Sequence, residues 1–218
     1  MSSEKESKTL AVVNCSQIVT LAGPARPRVG PELRELGIIT RGGMLVRDGR
    51  IERVGNTDEI ESLIDADTEL VDARGQVLMP GFVDAHTHPV FSGTRVEEFE
   101  EQSKGATYQE IAARGGGIQY TVNATRAMYE EMLAYEAWRY SEWFLRSGTT
   151  TIEAKSGYGL SLEDELKILR VIKRLDEGTS LRYVPTFLGA HSVPPEYRAR
   201  REQYVSLIID EMLPAVAR

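Results

Sequence analysis

At 218 residues, with 41% hydrophobic and 27% charged content, the chain falls in the range of folded globular proteins, and disorder is excluded as the expectation. Thirty-three acidic residues against 26 basic ones give a net charge of −7, which leaves no cationic stripe for a phosphate backbone and argues against nucleic acid as a partner. The stretch Met1 to Thr9 is polar, and no later run approaches the roughly 18 uninterrupted apolar residues of a membrane span, so the sequence predicts a cytoplasmic protein without a membrane partner.

The β-branched residues between Leu10 and Leu21 predict a strand, and Gly23 to Gly30 reads as a loop. The lone Cys15 within that strand reads as a small buried apolar residue rather than a nucleophile. From Met44 to Val54 two strand-like arms flank Asp48-Gly49, the dipeptide that supplies the positive φ angles of a tight hairpin. Asn56 with Glu59 three residues on marks a short helix, and Glu69 to Val77 returns to extended structure around Gly75. Residues 1–76 therefore form a small β-rich unit.

From Val77 strand-like runs alternate with amphipathic segments, the pattern of parallel strands joined by crossover helices. The first strand is predicted over Val77 to Ala85. It is followed by a loop from Pro89 to Glu101, a short helix capped by Thr107 and Glu110, and a long helix from about Gln119 to Ser147. The second is Thr149 to Ala154, with a helix opened by Ser161 and stopped near Gly178; the third is Leu181 to Leu188, with a final helix from Pro194-Pro195 towards Arg218. Residues 77–218 thus hold three β/α units, too few to close an eight-stranded barrel, which takes about 250 residues.

All three histidines fall at the carboxyl ends of predicted parallel strands, the rim where reacting groups collect in such sheets. In Asp84-Ala85-His86-Thr87-His88, residues two apart share a face of the strand. The two imidazoles, roughly 7 Å apart at their Cα atoms, can therefore converge on one cation, and Asp84 shares their side. Arg95, seven residues past His88, is a natural fork for a carboxylate. Tyr158 sits in a Ser-Gly-Tyr-Gly turn whose glycines let the backbone approach a ligand. His191 could be a third metal ligand or a substrate contact. Gly115 to Gly117 reads as a turning loop rather than a phosphate cradle, and Glu153 with Lys155 as a structural ion pair.

The run Met79-Pro-Gly-Phe-Val-Asp-Ala-His-Thr-His88, preceded by Asp48-Gly49-Arg50-Ile51 and Asp72-Ala73-Arg74-Gly75, resembles the entry to the amidohydrolase superfamily. The blocks Phe91 to Arg95, Gly105 to Tyr108, Gly115 to Ile118, Glu153 to Leu160 and Thr186 to Tyr197 resemble the imidazolonepropionase family within it. The resemblance runs from about residue 44 to about residue 200. It implies an α/β fold in which a small β-sandwich domain, represented by residues 1–76, precedes a metal-dependent (β/α)8 barrel truncated here to about three units over 77–218. It also implies one divalent metal ion, zinc or iron, with His86 and His88 as two of its ligands. Arg95, Tyr158 and His191 then contact 4-imidazolone-5-propanoate, His191 being the catalytic one through its support of an oxyanion. The remaining ligands and a general base belong to later strands. On that account the 218 residues alone are inactive, and the full-length form is a homodimer. Another amidohydrolase or deaminase, or a non-catalytic metal-binding scaffold, are the alternatives.

Overall fold

The computed structural model describes residues 8–218, which form two compact units meeting in sequence at Pro80 and Gly81. In the first, β1 (Thr9–Val19) is the central strand. It pairs antiparallel with β2 (Ile38–Arg47) on one side and parallel with β4 (Glu69–Asp72) and β5 (Val77–Leu78) on the other. The outer strand β3 (Arg50–Asn56) returns along β2 through the Asp48-Gly49 turn, whose φ values of 51° and 75° are the left-handed pair a two-residue hairpin requires. Helix α1 (Thr57–Glu61) starts where the Asn56 side chain accepts the Glu59 N–H at 2.9 Å, as the cap spacing predicts. Ala11 and Val13 of β1 pack with Leu45 and Ile60, and Val12 packs with Met44, Val54 and Leu78 in a cluster that Cys15 and Ile18 join because the strand breaks its alternation between Val12 and Cys15, where Asn14 has φ 57°. Cys15 is buried, and burial pushes its thiol pKa up, in keeping with an inert packing residue.

The predicted first strand of the second unit, Val77 to Ala85, is two strands. Val77–Leu78 belongs to the first sheet as β5, and the chain leaves it at Pro80-Gly81 before β6 (Phe82–Thr87) begins. The physical reason is Pro80, which has no N–H to give to a ladder. β6, β7 (Thr149–Lys155) and β8 (Arg182–Thr186) form a parallel sheet in that order. Between β6 and β7 run α2 (Val96–Ser103), α3 (Tyr108–Ala113), α4 (Ile118–Ala127) and α5 (Glu130–Arg146); α6 (Leu162–Gly178) joins β7 to β8. The core of this unit lies between α5, α6 and the sheet: Leu133, Ala134 and Ala137, with Ile168, Val171, Ile172 and Leu175, cover Ile152, Ala154 and Tyr183. Buried Tyr183 shares a hydrogen bond with Ser141 of α5.

The long helix predicted over Gln119 to Ser147 is broken at Met128-Tyr129, both of which are extended. Lys167 of α6 makes the break tenable. Its ammonium donates to the carbonyls of Thr125, Arg126 and Met128 at 3.2, 3.0 and 3.3 Å, satisfying the end of α4 that a continuous helix would have satisfied internally. The final helix is likewise divided. A 3₁₀ turn (Pro195–Tyr197) precedes α7 (Arg201–Ser206), a widened π turn (Leu207–Met212) and a last turn, α8 (Leu213–Val216). Pro214, without an N–H for the carbonyl four residues back, is the local cause of the widening.

The three parallel strands do not close on themselves, and β6 is an edge on which Phe82 and Val83 are 55% and 68% exposed. Among the described residues no helix is long and apolar enough to cross a membrane. Ile172 is fully buried between α6 and the sheet, so Ile172→Ala is expected to cost about 2–5 kcal/mol. Urea denaturation followed at the tryptophans of α5 measures it, because both Trp138 and Trp143 lie in this unit.

Candidate active site

A parallel ladder delivers its connecting loops to one end, and here that end holds all the candidate side chains. His88 leaves β6, Tyr158 follows β7 and His191 follows β8. The rings gather closely: His86 lies 5.6 Å from His88 edge-on, His191 stacks on His88 at 4.5 Å, and Tyr158 lies 4.9 Å from His88 and 5.4 Å from His191. Arg95, in the loop after β6, lines a cavity of ≈ 280 Å³ together with His88, Phe91, Thr121, Tyr140 and Tyr158. The Asp84 carboxylate accepts the His86 N–H at 3.0 Å and, with His88, Phe91 and Tyr140, lines an adjoining apolar cavity of ≈ 600 Å³ against α5, although the β6–β7 register is irregular between Asp84 and Thr87.

His88 has the most distinctive environment. Neither ring nitrogen has a hydrogen-bond partner although both are buried, and its pKa is lowered to about 4, first by burial and then by the neighbouring His191. The Ser156 main chain pulls weakly the other way without reaching hydrogen-bonding geometry. A half-buried imidazole whose buried nitrogens are idle suits a metal ligand. The fit is partial: among the described residues no group of three His, Cys, Asp or Glu side chains converges on a common point. Two imidazoles therefore fit as part of a donor set and not as a whole one.

The loops holding Tyr158 and His191 are fastened to each other. Ser156 Oγ accepts the Leu188 N–H at 2.8 Å, and the Gly157 carbonyl meets His191 Nδ1 at 3.0 Å. Behind the first loop, Arg126 donates to the carbonyls of Gly159 and Leu160 at 2.6 and 3.1 Å. Behind the second, the buried Tyr204 hydroxyl donates to the Gly189 carbonyl at 2.6 Å. The Tyr158 phenol is raised above its ordinary pKa by burial, tempered by Arg95, so it stays protonated near neutrality. Glu153 and Lys155 pair on the face of β7 turned away from the helices, within electrostatic reach of His86 and His88 respectively, and Thr186 also donates to Glu153 at 2.8 Å. Gly115 to Gly117 turn between α3 and α4, with Gly117 at φ 67° and its N–H given to Glu98 at 2.8 Å.

Comparison with known proteins gives the chain its relatives. A family model described as "Amidohydrolase family" matches residues 69–172. The imidazolonepropionase of Solibacter usitatus is 60% identical over 207 residues, 95% of this chain and 50% of that protein. The chain is a homologue of the imidazolonepropionases. That of Symbiobacterium thermophilum is 51% identical over 210 residues, covering 95% of this chain and 49% of its own length, so the chain spans about half the length of the curated relatives it matches. Among solved structures, the Escherichia coli guanine deaminase shares 17% identity with a TM-score of 0.51, over 93% of this chain and 43% of that one. A triazine hydrolase variant shares 12% with a TM-score of 0.52, over 83% and 35%. Those two likenesses speak to the fold alone.

Within this imidazolonepropionase homologue, sequence reasoning missed Thr121 and Tyr140, which line the cavity, and Glu165, which lies behind it. Thr121 and Tyr140 sit on helices far along the chain from His88 and carry no local signal. Glu165 did carry one: it occupies the apolar face of α6 in phase with Ile168, Ile172 and Leu175.

Gly157 has φ +108°, and a Cβ there would lie 2.8 Å from His191 Cβ and 2.9 Å from both His191 Nδ1 and the Leu188 carbonyl. Gly157→Ala is therefore expected to cost about 1–3 kcal/mol through backbone strain and to displace the His191 ring. Thermal unfolding measures the first effect and loss of the ring-current shifts at His88 the second.

Proposed function

We propose that this chain carries part of the active site for opening the ring amide of 4-imidazolone-5-propanoate, giving N-formimidoyl-L-glutamate in histidine degradation. The observation that carries the reading is the cavity itself, lined by a guanidinium, Arg95, a half-buried imidazole kept neutral, His88, and Tyr158. That is a site for a small molecule with an anionic tail and a polar ring.

Arg95 takes the propionate as a bidentate partner and so fixes which end of the substrate reaches the imidazoles. Tyr158, protonated and packed against both His88 and His191, closes over the ring and excludes water from its far side. His191 addresses the ring from the third strand. A divalent metal, zinc or iron, would be held in part by His86 and His88, and when bound it would supply Lewis-acid activation of a water. Its other ligands and a general base lie outside the set that these residues bring together. The 218 residues by themselves turn over nothing on this reading.

The decisive experiment compares this chain with a protein that adds the segment matching the second half of its curated relatives. Hydrolysis of imidazolone propionate is expected only in the longer form, and turnover by the 218-residue chain at an ordinary enzymatic rate sinks the partial-site reading. In the longer form Arg95→Ala is expected to raise KM by roughly 10–100-fold, the loss of about 1.4–2.8 kcal/mol of charge-assisted binding, with a smaller change in kcat. In the short chain, zinc titrated by calorimetry is expected to bind weakly, and His88→Ala is expected to abolish that heat; undiminished binding by the variant removes His88 from the donor set.

A further inference from the structure

The least expected group in this unit is a carboxylate, 1% exposed, that belongs to none of the ion pairs among the described residues. Glu165, in the first turn of α6, accepts three main-chain N–H groups of the loop after β7: Gly157 at 3.1 Å on one oxygen, and Gly159 and Leu160 at 2.9 and 2.8 Å on the other. A buried carboxylate is stable only where several donors replace its water, and these donors come from the residues on either side of Tyr158. Gly159 lies so close to the start of α6 that a Cβ would meet the Glu165 nitrogen at 2.5 Å. The loop is thus wrapped on this side chain.

The peptide that gives its N–H at Gly157 is followed by the Gly157 carbonyl, which meets His191 Nδ1 at 3.0 Å. A carbonyl only accepts, so Nδ1 carries the proton. In the uncharged form of that ring, Nε2 then has a lone pair and no proton. We infer that Glu165 is a positioning residue: by holding the Gly157–Leu160 backbone it fixes His191 as the Nδ1–H tautomer, so that Nε2 meets a bound ligand as a hydrogen-bond acceptor for a ring N–H. The expectation that His191 supports an oxyanion needs a proton at Nε2, which this tautomer does not have. The inference deepens the proposed function and, for the ligand-facing half only, rests on it.

The test uses the 218-residue chain labelled with ¹⁵N at histidine, which gives a spectrum of three rings. At mildly alkaline pH the wild type is expected to show His191 with a pyrrole-type Nδ1 and a pyridine-type Nε2; the reverse pattern overturns the inference. In Glu165→Gln, which is isosteric, an amide NH₂ replaces one accepting oxygen and opposes an N–H of the loop, so the Nδ1–H pattern is expected to give way to a mixture. Glu165→Ala is expected to go further in the same direction. A folded variant of either kind, by circular dichroism and amide dispersion, that keeps the wild-type His191 pattern shows that Glu165 is structural filler and overturns its positioning role. Should neither variant fold, the exchange rate of the Gly157 amide in the wild type decides: protection is expected, and exchange as fast as in an open loop overturns the contact. Adding imidazole-4-propionate, a non-hydrolysable probe, is expected to shift His191 Nε2 in the wild type. No shift there, with the Nδ1–H pattern intact, overturns the substrate reading and the acceptor role while upholding the Glu165 strut, so the two failures are distinguishable.

Discussion

The parallel pairing of β6, β7 and β8 is the constraint on which everything else in the second unit depends. Parallel strands are fed by crossovers, so each hands its outgoing loop to the same end, and residues remote in sequence meet without any attraction between them. Ile152 and Ala154 anchor the middle strand to the helices, which frees the alternate residues Glu153 and Lys155 for the opposite face. Without that ladder, the imidazoles of His88 and His191, 103 positions apart by subtraction of their numbers, would have no reason to stack.

Polar groups in this rim are satisfied by the main chain far more than by one another. Arg126 donates to Gly159 and Leu160, Tyr204 to Gly189, and Ser156 accepts from Leu188. Such bonds are short in reach and strict in direction, and they suit a site whose side chains must be held in place by the backbone around them. His88 is the exception. Its two nitrogens are left without partners in a chain that otherwise leaves no described buried side-chain polar atom unsatisfied. A neutral imidazole so placed costs folding free energy, and a group kept at that cost points to a use outside the fold.

Much of this was legible in the residues and some was not. The hairpin at Asp48-Gly49, the Asn56 and Ser161 caps, and the switch from an all-β segment to alternating strand and helix follow from local chemistry, and the structure has them. The boundaries that failed did so for tertiary reasons. A helix read as continuous from Gln119 was cut because Lys167, some forty residues later, satisfies the carbonyls at the cut, and no local pattern announces a distant ammonium. Val77 looked like the start of a barrel strand because β-branched residues suit either sheet, and only pairing with β1 decides. At the site, the resemblance to a family named Arg95, Tyr158 and His191 together, and spacing alone named His86 and His88. Alternation also placed Asp84 on their side, and Asp84 and His88 line one cavity although the register beside β7 is irregular between Asp84 and Thr87.

The two glycines that flank Tyr158 set a limit on how this rim can be altered. At 157 any side chain runs into His191, and at 159 it runs into the opening of α6. A library that randomised Ser156 to Leu160 would find its room for change at the two glycines closed and that at the tyrosine open, because the glycines contribute their lack of bulk. Remodelling of selectivity between the two glycines is therefore a question about a single ring, and longer grafts from unrelated turns would have to bring both absent side chains with them.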